Sequence, residues 1–277
     1  MDVIRTAAVM RKVRREISGS VGLVATLGGI HAGHAKHMDS VRPLCDVLVG
    51  SIFLNPTQFG TNEDLSNYPS DETEDIAKFE HHGTDIVFVP SVREMYPPEG
   101  ISEVDPGPVA DVLEGAERPG HFIGVATVVN RLFSIIDPDK ATFGEKDAQQ
   151  LRIVRHIVAS LALDIEIIPI PTVREPDGLA ISSRNAYLSS TERKAGTVLY
   201  RALKSVRKAK VSGERNGDAL RSIMLKMLAE EPLVKTHYVS IADVDTFVEL
   251  VEIKGSARAL LAATIGDARL IDNLLLS

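Results

Sequence analysis

The chain has 277 residues, 44% of them hydrophobic and 25% charged, with a formal net charge of −7 at pH 7. That balance describes one large or two modest globular domains with ample core, and it supplies no basic face of the kind nucleic acid requires. The single cysteine, Cys45, excludes an internal disulfide framework, and no run approaches the roughly 18 apolar residues of a membrane span, so the expectation is a soluble, cytoplasmic chain without nucleic-acid or membrane partners.

Residues 1–17 carry Arg5, Arg11, Lys12, Arg14 and Arg15 with no apolar stretch after them, so they do not read as a secretory signal. Apolar runs of strand length follow at 21–25, 47–54, 85–89, 141–143 and 165–170. Helical patterns lie between them at 33–41, 72–81, 125–136 and 148–161. In the last, Leu151, Val154, Val158 and Leu161 form one stripe at three- and four-residue spacing. Such alternation implies a parallel sheet with helices on both faces and a ligand site at the carboxyl ends of the strands. Cys45 stands just before an apolar run and reads as buried filler. The segment 91–120, with Pro97, Pro98, Pro106, Pro108 and Pro119, breaks the pattern and reads as a long functional loop covering the site. Pro169, Pro171 and Pro176, followed by Asp177-Gly178, mark a domain boundary placed between 172 and 173. Beyond it, 191–211 and 218–230 look helical, and 237–241 and 257–264 look like strands of a small α+β C-terminal domain.

Four polar clusters stand where chemistry is expected. His31 and His34 flank Gly33 directly after the turn Thr26-Leu27-Gly28-Gly29-Ile30. A strand running through a glycine turn into a helix presents backbone N–H groups and a positive dipole end to an anion. Two imidazoles there can donate to phosphate oxygens, and Gly33 leaves room for a nucleotide. The second cluster is the strand end Ser51 to Phe59, where Asn55 and Gln58 offer amides that can fix a hydroxyl and a carboxylate. The third is Gly144-Glu145-Lys146-Asp147: Lys146 can reach a phosphate, Asp147 can cap a helix or bind a hydroxyl, and Gln150 follows one turn on. The fourth is Ile181-Ser182-Ser183-Arg184-Asn185, two hydroxyls and a guanidinium suited to a polyphosphate. Taken singly, each has a plain alternative: capping histidines, a solvated amide, a capped helix with a surface ion pair, an N-cap serine pair. The H-x-G-H arrangement resembles the signature of the nucleotidyltransferase superfamily, which implies a Rossmann-like parallel sheet and attack at the α-phosphate of a nucleoside triphosphate.

In this order and spacing the clusters resemble the pantoate–β-alanine ligase family over nearly the whole chain. Further matches are Glu63-Asp64-Leu65 with Tyr68-Pro69, Leu113-Glu114-Gly115, Arg118-Pro119-Gly120-His121-Phe122, Gly124 to Val128, Asp177 to Ala180, and Gly266 to Asn273. The resemblance implies ATP-dependent condensation of (R)-pantoate with β-alanine through a pantoyl adenylate, with Mg2+ carried on ATP, in a homodimer that an exposed strand edge such as 47–54 could support. It implies ATP binding by Thr26, Leu27, Gly28, Gly29, Ile30, His31, Ala32, Gly33, His34, Gly144, Glu145, Lys146, Asp147, Val173, Ile181, Ser182, Ser183 and Arg184. His34, His31 and Lys146 are the implied catalytic groups, His34 taking the acid role. Gln58 and Gln150 are implied for pantoate, Gln58 also for β-alanine, and Asn55, Arg118 and His121 as helpers; metal ligands are not implied. Ala25, Leu27, Ser70 and Ala148 depart from the family's usual proline, methionine, arginine and aromatic, and none of the implied catalytic groups is touched. Glu74 and Asp75, weighed as carboxylates for Mg2+, are better read as a solvated helix face. Two rivals remain: an adenylyltransferase for a phosphorylated acceptor, disfavoured by the paired glutamines, and a non-catalytic nucleotide-binding protein, disfavoured by the intact histidines and lysine.

Overall fold

The computed structural model describes residues 1–61 and 63–276. It divides into two compact units, Met1–Glu145 with Gln149–Pro171, and Lys146–Ala148 with Thr172–Ser277. In chain order the first carries β1 (Asp2–Ile4), α1 (Ala7–Glu16), β2 (Val21–Thr26), α2 (Ala32–Val41), β3 (Val47–Ile52), α3 (Glu72–His81), β4 (Ile86–Phe88), α4 (Val92–Met95), α5 (Glu114–Glu117), α6 (His121–Ile136), β5 (Lys140–Gly144), α7 (Ala148–Ser160) and β6 (Glu166–Ile170). Its six described strands run parallel in the order β1-β4-β3-β2-β5-β6. From β2 the chain steps outward through β3 and β4, then returns to place β5 on the other flank of β2. The strand order therefore reverses between β2 and β5, the position at which open α/β sheets bind ligands.

Central strands of a parallel sheet are covered on both faces, and Leu23, Val24, Leu48, Val49, Val87 and Phe88 are accordingly buried without alternation. Gly50 lets α3 approach, because a Cβ there would stand 2.4 Å from the Phe79 ring. The continuous apolar run at 47–54 is thus a central strand, bonded to β2 on one side and β4 on the other. It is not the exposed edge expected of it; the edges of this sheet are β1 and β6. Pro169, expected to end regular structure, lies inside β6, where an edge strand can leave one side of its backbone unbonded. β1 and α1 fall outside the elements that the sequence pattern predicts. β1 is only three residues long, and α1 buries just Ala7 and Met10 among its charges.

The segment 91–120 is more ordered than a loop, holding α4, α5 and a 3-10 turn at Pro108–Asp111. Gln149, buried on α7, holds it from beneath: its amide donates to the carbonyls of Val109 and Val112 at 2.6 and 2.7 Å and accepts from the Glu114 N–H.

The second unit packs α8 (Ser190–Ala195), α9 (Thr197–Val211) and α10 (Gly217–Ala229) with an antiparallel sheet of β7 (Val234–Asp243), β8 (Ala257–Ile265) and β9 (Ala268–Leu276), in that order. Val198, Leu199, Ala202, Leu203 and Val206 give α9 an unbroken apolar stripe onto Leu261, Ala263 and Ile265. The single helix expected at 191–211 is two helices divided at Gly196. β9 is a strand that the pattern does not predict, because Asp272 and Asn273 interrupt its apolar residues. No helix among the described residues is long and apolar enough to cross a membrane.

Candidate active site

β2 ends at Thr26, whose hydroxyl donates to the Ser51 carbonyl at 2.8 Å and accepts from the Gly28 N–H, turning the chain out of the sheet. Gly28 and Gly29 follow at φ 97° and 65°, left-handed values that a glycine adopts without steric cost. Leu27 is half-buried and Ile30 is buried in the core beside α2. His31 then caps α2, with Ala32, Gly33 and His34 in its first turn.

The two imidazoles are locked by backbone. The His31 N–H donates to His34 Nδ1 at 3.3 Å, and the Gly33 N–H donates to His31 Nδ1 at 3.1 Å. The rings stack with centroids 4.0 Å apart and 20° between planes. A nitrogen that accepts a backbone N–H bears no proton, so each neutral ring carries its hydrogen on Nε2. Each imidazole thereby satisfies one N–H of the helix N-terminus through its Nδ1. A third histidine, His37, lies one turn on and bonds Thr142 on β5 at 3.0 Å.

The expectation that the glycine turn offers its own N–H groups to phosphate needs correction. The N–H groups of Gly29 and Ile30 both donate to the carboxylate of Asp75, each at 2.7 Å. Asp75 is 1% exposed, so its reading as part of a solvated helix face is also overturned. Lys78, one turn further on α3, donates to the Ile30 carbonyl at 2.8 Å and pairs with Glu74. α3 therefore holds the turn by both backbone polarities. The available signal was that Asp75 lies four residues before Phe79, a position on the buried face of the same helix.

The loop after β3 carries the amides. Asn55, fully buried, donates to Gln58 Oε1 at 3.1 Å and to the Gly124 carbonyl at 3.2 Å. Its own oxygen accepts from the Tyr96 and Thr57 hydroxyls at 2.7 and 3.0 Å. With Gln58 Oε1 committed to Asn55, the amide orientation is set and Nε2 is the donor end. Gly124 is required here, since a Cβ would stand 2.4 Å from the Thr57 carbonyl oxygen. Arg118 forks onto Glu63 at 2.7 and 2.6 Å and donates to His121 Nε2 at 3.0 Å, while His121 Nδ1 donates to the Gln58 carbonyl at 2.8 Å. Burial, reinforced by the Arg118 charge, lowers the His121 imidazole to about 4, so it is neutral at pH 7. Arg118 and His121 thus brace the Gln58 loop, and Glu63 and Tyr96 are partners to which the sequence reading assigns no role. Gln150 is half-buried in the first turn of α7, beyond the end of β5 at Gly144.

In the second unit, Lys146 lies in the 3-10 turn Glu145–Asp147, with Asp147 Oδ1 3.4 Å from its Nζ. Val173 and Ile181 are paired across a short hairpin by the Ile181 N–H to the Val173 carbonyl at 3.0 Å. The hairpin delivers Ser182, whose hydroxyl accepts the Arg184 N–H and caps the turn Ser183–Tyr187. Arg174 in the hairpin forks onto the buried Asp272 of β9 at 2.6 and 2.8 Å and stacks over Tyr200 at 3.9 Å. Asn273 donates from Nδ2 to the Lys146 carbonyl at 2.8 Å. In the sequence Asp272 and Asn273 stand only as part of a matching stretch, with no role attached.

A family model described as Pantoate-beta-alanine ligase matches residues 2–275. Curated relatives include a pantothenate synthetase of Roseiflexus castenholzii, 52% identical over 276 residues covering 100% of this chain and 99% of that one. Another, from Chloroflexus aurantiacus, is 50% identical over 279 residues and covers 100% and 98%. Among solved structures, a pantothenate synthetase from Thermus thermophilus superposes with a TM-score of 0.94 at 42% identity over 99% of both chains. A pantoate-β-alanine ligase from Francisella tularensis, solved with β-γ ATP and β-alanine, gives 0.82 at 31% identity over 100% of this chain and 98% of that one.

Proposed function

The chain belongs to the pantoate-β-alanine ligase family, and from that premise we propose how its own residues join (R)-pantoate to β-alanine at the expense of ATP. The pantoate carboxylate attacks the α-phosphorus of ATP, forming pantoyl adenylate and releasing pyrophosphate. The β-alanine amine then attacks the acyl carbon; the amide bond forms, AMP leaves and the amine loses a proton. The difficulty of the first step is bringing an anion to a polyanion, so fixed donors must meet the charge that builds on the α-phosphate and the leaving group.

The observation that carries this assignment is the pair of locked imidazoles. His31 and His34 hold Nδ1 against backbone N–H groups, which leaves Nε2–H as the donor on each. His34 acts as the acid, donating toward the phosphate oxygens, and His31 supports it. Thr26, Leu27, Gly28, Gly29, Ile30, Ala32 and Gly33 shape the nucleotide turn, with Asp75 as its buried brace. Lys146, Ser182, Ser183 and Arg184 supply charge and donors to the phosphates, and Gly144, Glu145, Asp147, Val173 and Ile181 complete the ATP contacts. Gln58 and Gln150 bind pantoate by hydrogen bonds without adding charge, and Gln58 also meets β-alanine. Asn55, Arg118 and His121 keep Gln58 in place. ATP and β-alanine as substrates are supported by the Francisella tularensis ligase, which was solved in complex with β-γ ATP and β-alanine. ATP enters as its Mg2+ complex: Mg2+ keeps several waters and is bound largely through substrate phosphates.

The enzyme works in the cytoplasm, in keeping with one half-buried thiol and no disulfide. It acts as a homodimer, each copy carrying a larger part, 1–172, and a smaller C-terminal part, 173–277. The edges of the parallel sheet are β1 and β6, so the central strand at 47–54 is not where a second copy pairs.

Pyrophosphate–ATP isotope exchange tests the reading. With Mg2+ and without β-alanine, exchange that requires (R)-pantoate reports reversible adenylate formation. ATP binding with no exchange in the presence of pantoate refutes it.

A further inference from the structure

Two adjacent residues of β9, Asp272 and Asn273, are 3% and 5% exposed in a strand whose Ala268, Leu270 and Leu276 are buried in the core of its unit. Buried polar groups in such a strand are kept only where they are matched, and these two are matched to particular places. The Asp272 carboxylate takes both arms of Arg174, at 2.6 and 2.8 Å, and also accepts the Asn273 N–H at 2.8 Å. Arg174 in turn donates to the Gly178 carbonyl at 3.2 Å and stands over the Tyr200 ring at 3.9 Å, so it ties its own arm of the hairpin that leads into Ser182-Ser183-Arg184 to the hairpin's turn. The Asn273 amide oxygen accepts from Arg258, which sets the amide's orientation and aims Nδ2 at the Lys146 carbonyl, 2.8 Å away. Lys146 stands in a 3-10 turn of three residues. Such a turn has few bonds of its own to fix it.

We propose that Asp272 and Asn273 form a positioning pair that registers two phosphate-binding pieces from one point on β9, the Ser182–Arg184 loop through Arg174 and Lys146 through its backbone carbonyl. The inference rests on the reading that Lys146 serves ATP. The pair touches no substrate. Its effect is to hold the Lys146 ammonium and the Arg184 guanidinium at a fixed spacing along β9, so that neither must be ordered when the triphosphate binds.

A double-mutant cycle on pyrophosphate exchange in the full-length enzyme tests this. Asn273→Ala removes the donor to the Lys146 carbonyl, and Asn273→Asp removes the same donor while keeping the acceptor for Arg258. Each should raise the ATP KM or lower exchange by about tenfold, the weight of one ordinary hydrogen bond, with the pantoate KM unchanged. In the Lys146→Ala background the same changes should add less than about twofold, because a residue acting through Lys146 has nothing left to position. Equal losses in both backgrounds, or a pantoate KM that rises with the ATP KM, would show a merely structural role and overturn the proposal. If Asn273→Ala does not fold, Asn273→Asp carries the same comparison. A Lys146→Ala enzyme with unchanged exchange would instead remove the role of Lys146 in ATP binding, and this inference with it.

Discussion

Asp75 offers the sharpest test of how the nucleotide turn is built. Its carboxylate is 1% exposed and accepts the N–H groups of Gly29 and Ile30 at 2.7 Å each. Asp75→Ala leaves both donors without that partner, and an unmatched buried donor costs about 1–3 kcal/mol. Two of them put the loss at about 2–6 kcal/mol, a large part of the 5–15 kcal/mol that roughly spans the stability of globular proteins. In Asp75→Asn one oxygen still accepts while the NH2 group faces the second N–H, so about half that loss is expected. Activity should fall further than stability suggests. Gly29 depends on Asp75 to hold its left-handed conformation in place, and a displacement of about 1 Å at His31 and His34 is enough to cost roughly 10²-fold. Urea unfolding gives the stability change, and exchange at saturating ATP, in conditions where circular dichroism shows the variant folded, gives the activity change. Raising Mg2+ should rescue neither, because the carboxylate is bonded to backbone. A variant within about 0.5 kcal/mol of the parent, the usual range of a neutral surface change, or one restored by Mg2+, would refute the brace.

His34→Ala should lower pantoate-dependent exchange by about 10²-fold or more, the loss typical of one acid or electrostatic group, while costing only the roughly 0.5–2 kcal/mol of a lost helix cap and leaving the fold intact; a collapsed thermal transition would show that the ring is structural. Gln58→Ala should raise the pantoate KM well above any change in the ATP KM, and equal rises would remove it from the pantoate site. His121 predicts a pH dependence. Its folded value of about 4 lies below the unfolded 6.5, so the unfolded chain binds the extra proton first. Stability from this group is complete above pH 6.5 and is lost as the pH falls toward 4, by up to about 3 kcal/mol. Urea midpoints taken between pH 7 and pH 4 should fall less steeply in His121→Gln than in the parent, and parallel slopes would contradict the assignment.

The fold of the first unit is largely legible because its signals are local. Strand runs between amphipathic helices dictate a parallel sheet, and the ends of α2, α3 and α7 lie within a residue of those the pattern predicts. The glycine turn, the paired histidines and the amides at 55 and 58 are visible as residue types at a strand end. What the sequence does not set is partner choice. The apolar run at 47–54 is the same string whether the strand lies at an edge or in the centre, and only its bonding to both β2 and β4 decides. β1 escapes notice because three residues carry too little pattern, and β9 because two buried polar residues break its alternation.

The side chains hardest to read are those whose work lies far along the chain. Asp75 bonds Gly29 across 46 residues, Arg118 bonds Glu63 across 55, and Asn273 bonds Lys146 across 127. A carboxylate, a guanidinium and an amide look solvated in sequence, since those groups are mostly exposed. Burial becomes tolerable only when folding brings a matched partner to each. Composition and periodicity by themselves determined the sheet, its helices and the kinds of group at its ligand-binding edge. The tertiary structure alone decided which nitrogen of each histidine is bonded to backbone, which N–H groups of the glycine turn are already bonded, and which charges serve as braces, because each of those depends on a hydrogen-bond partner that sequence spacing does not specify.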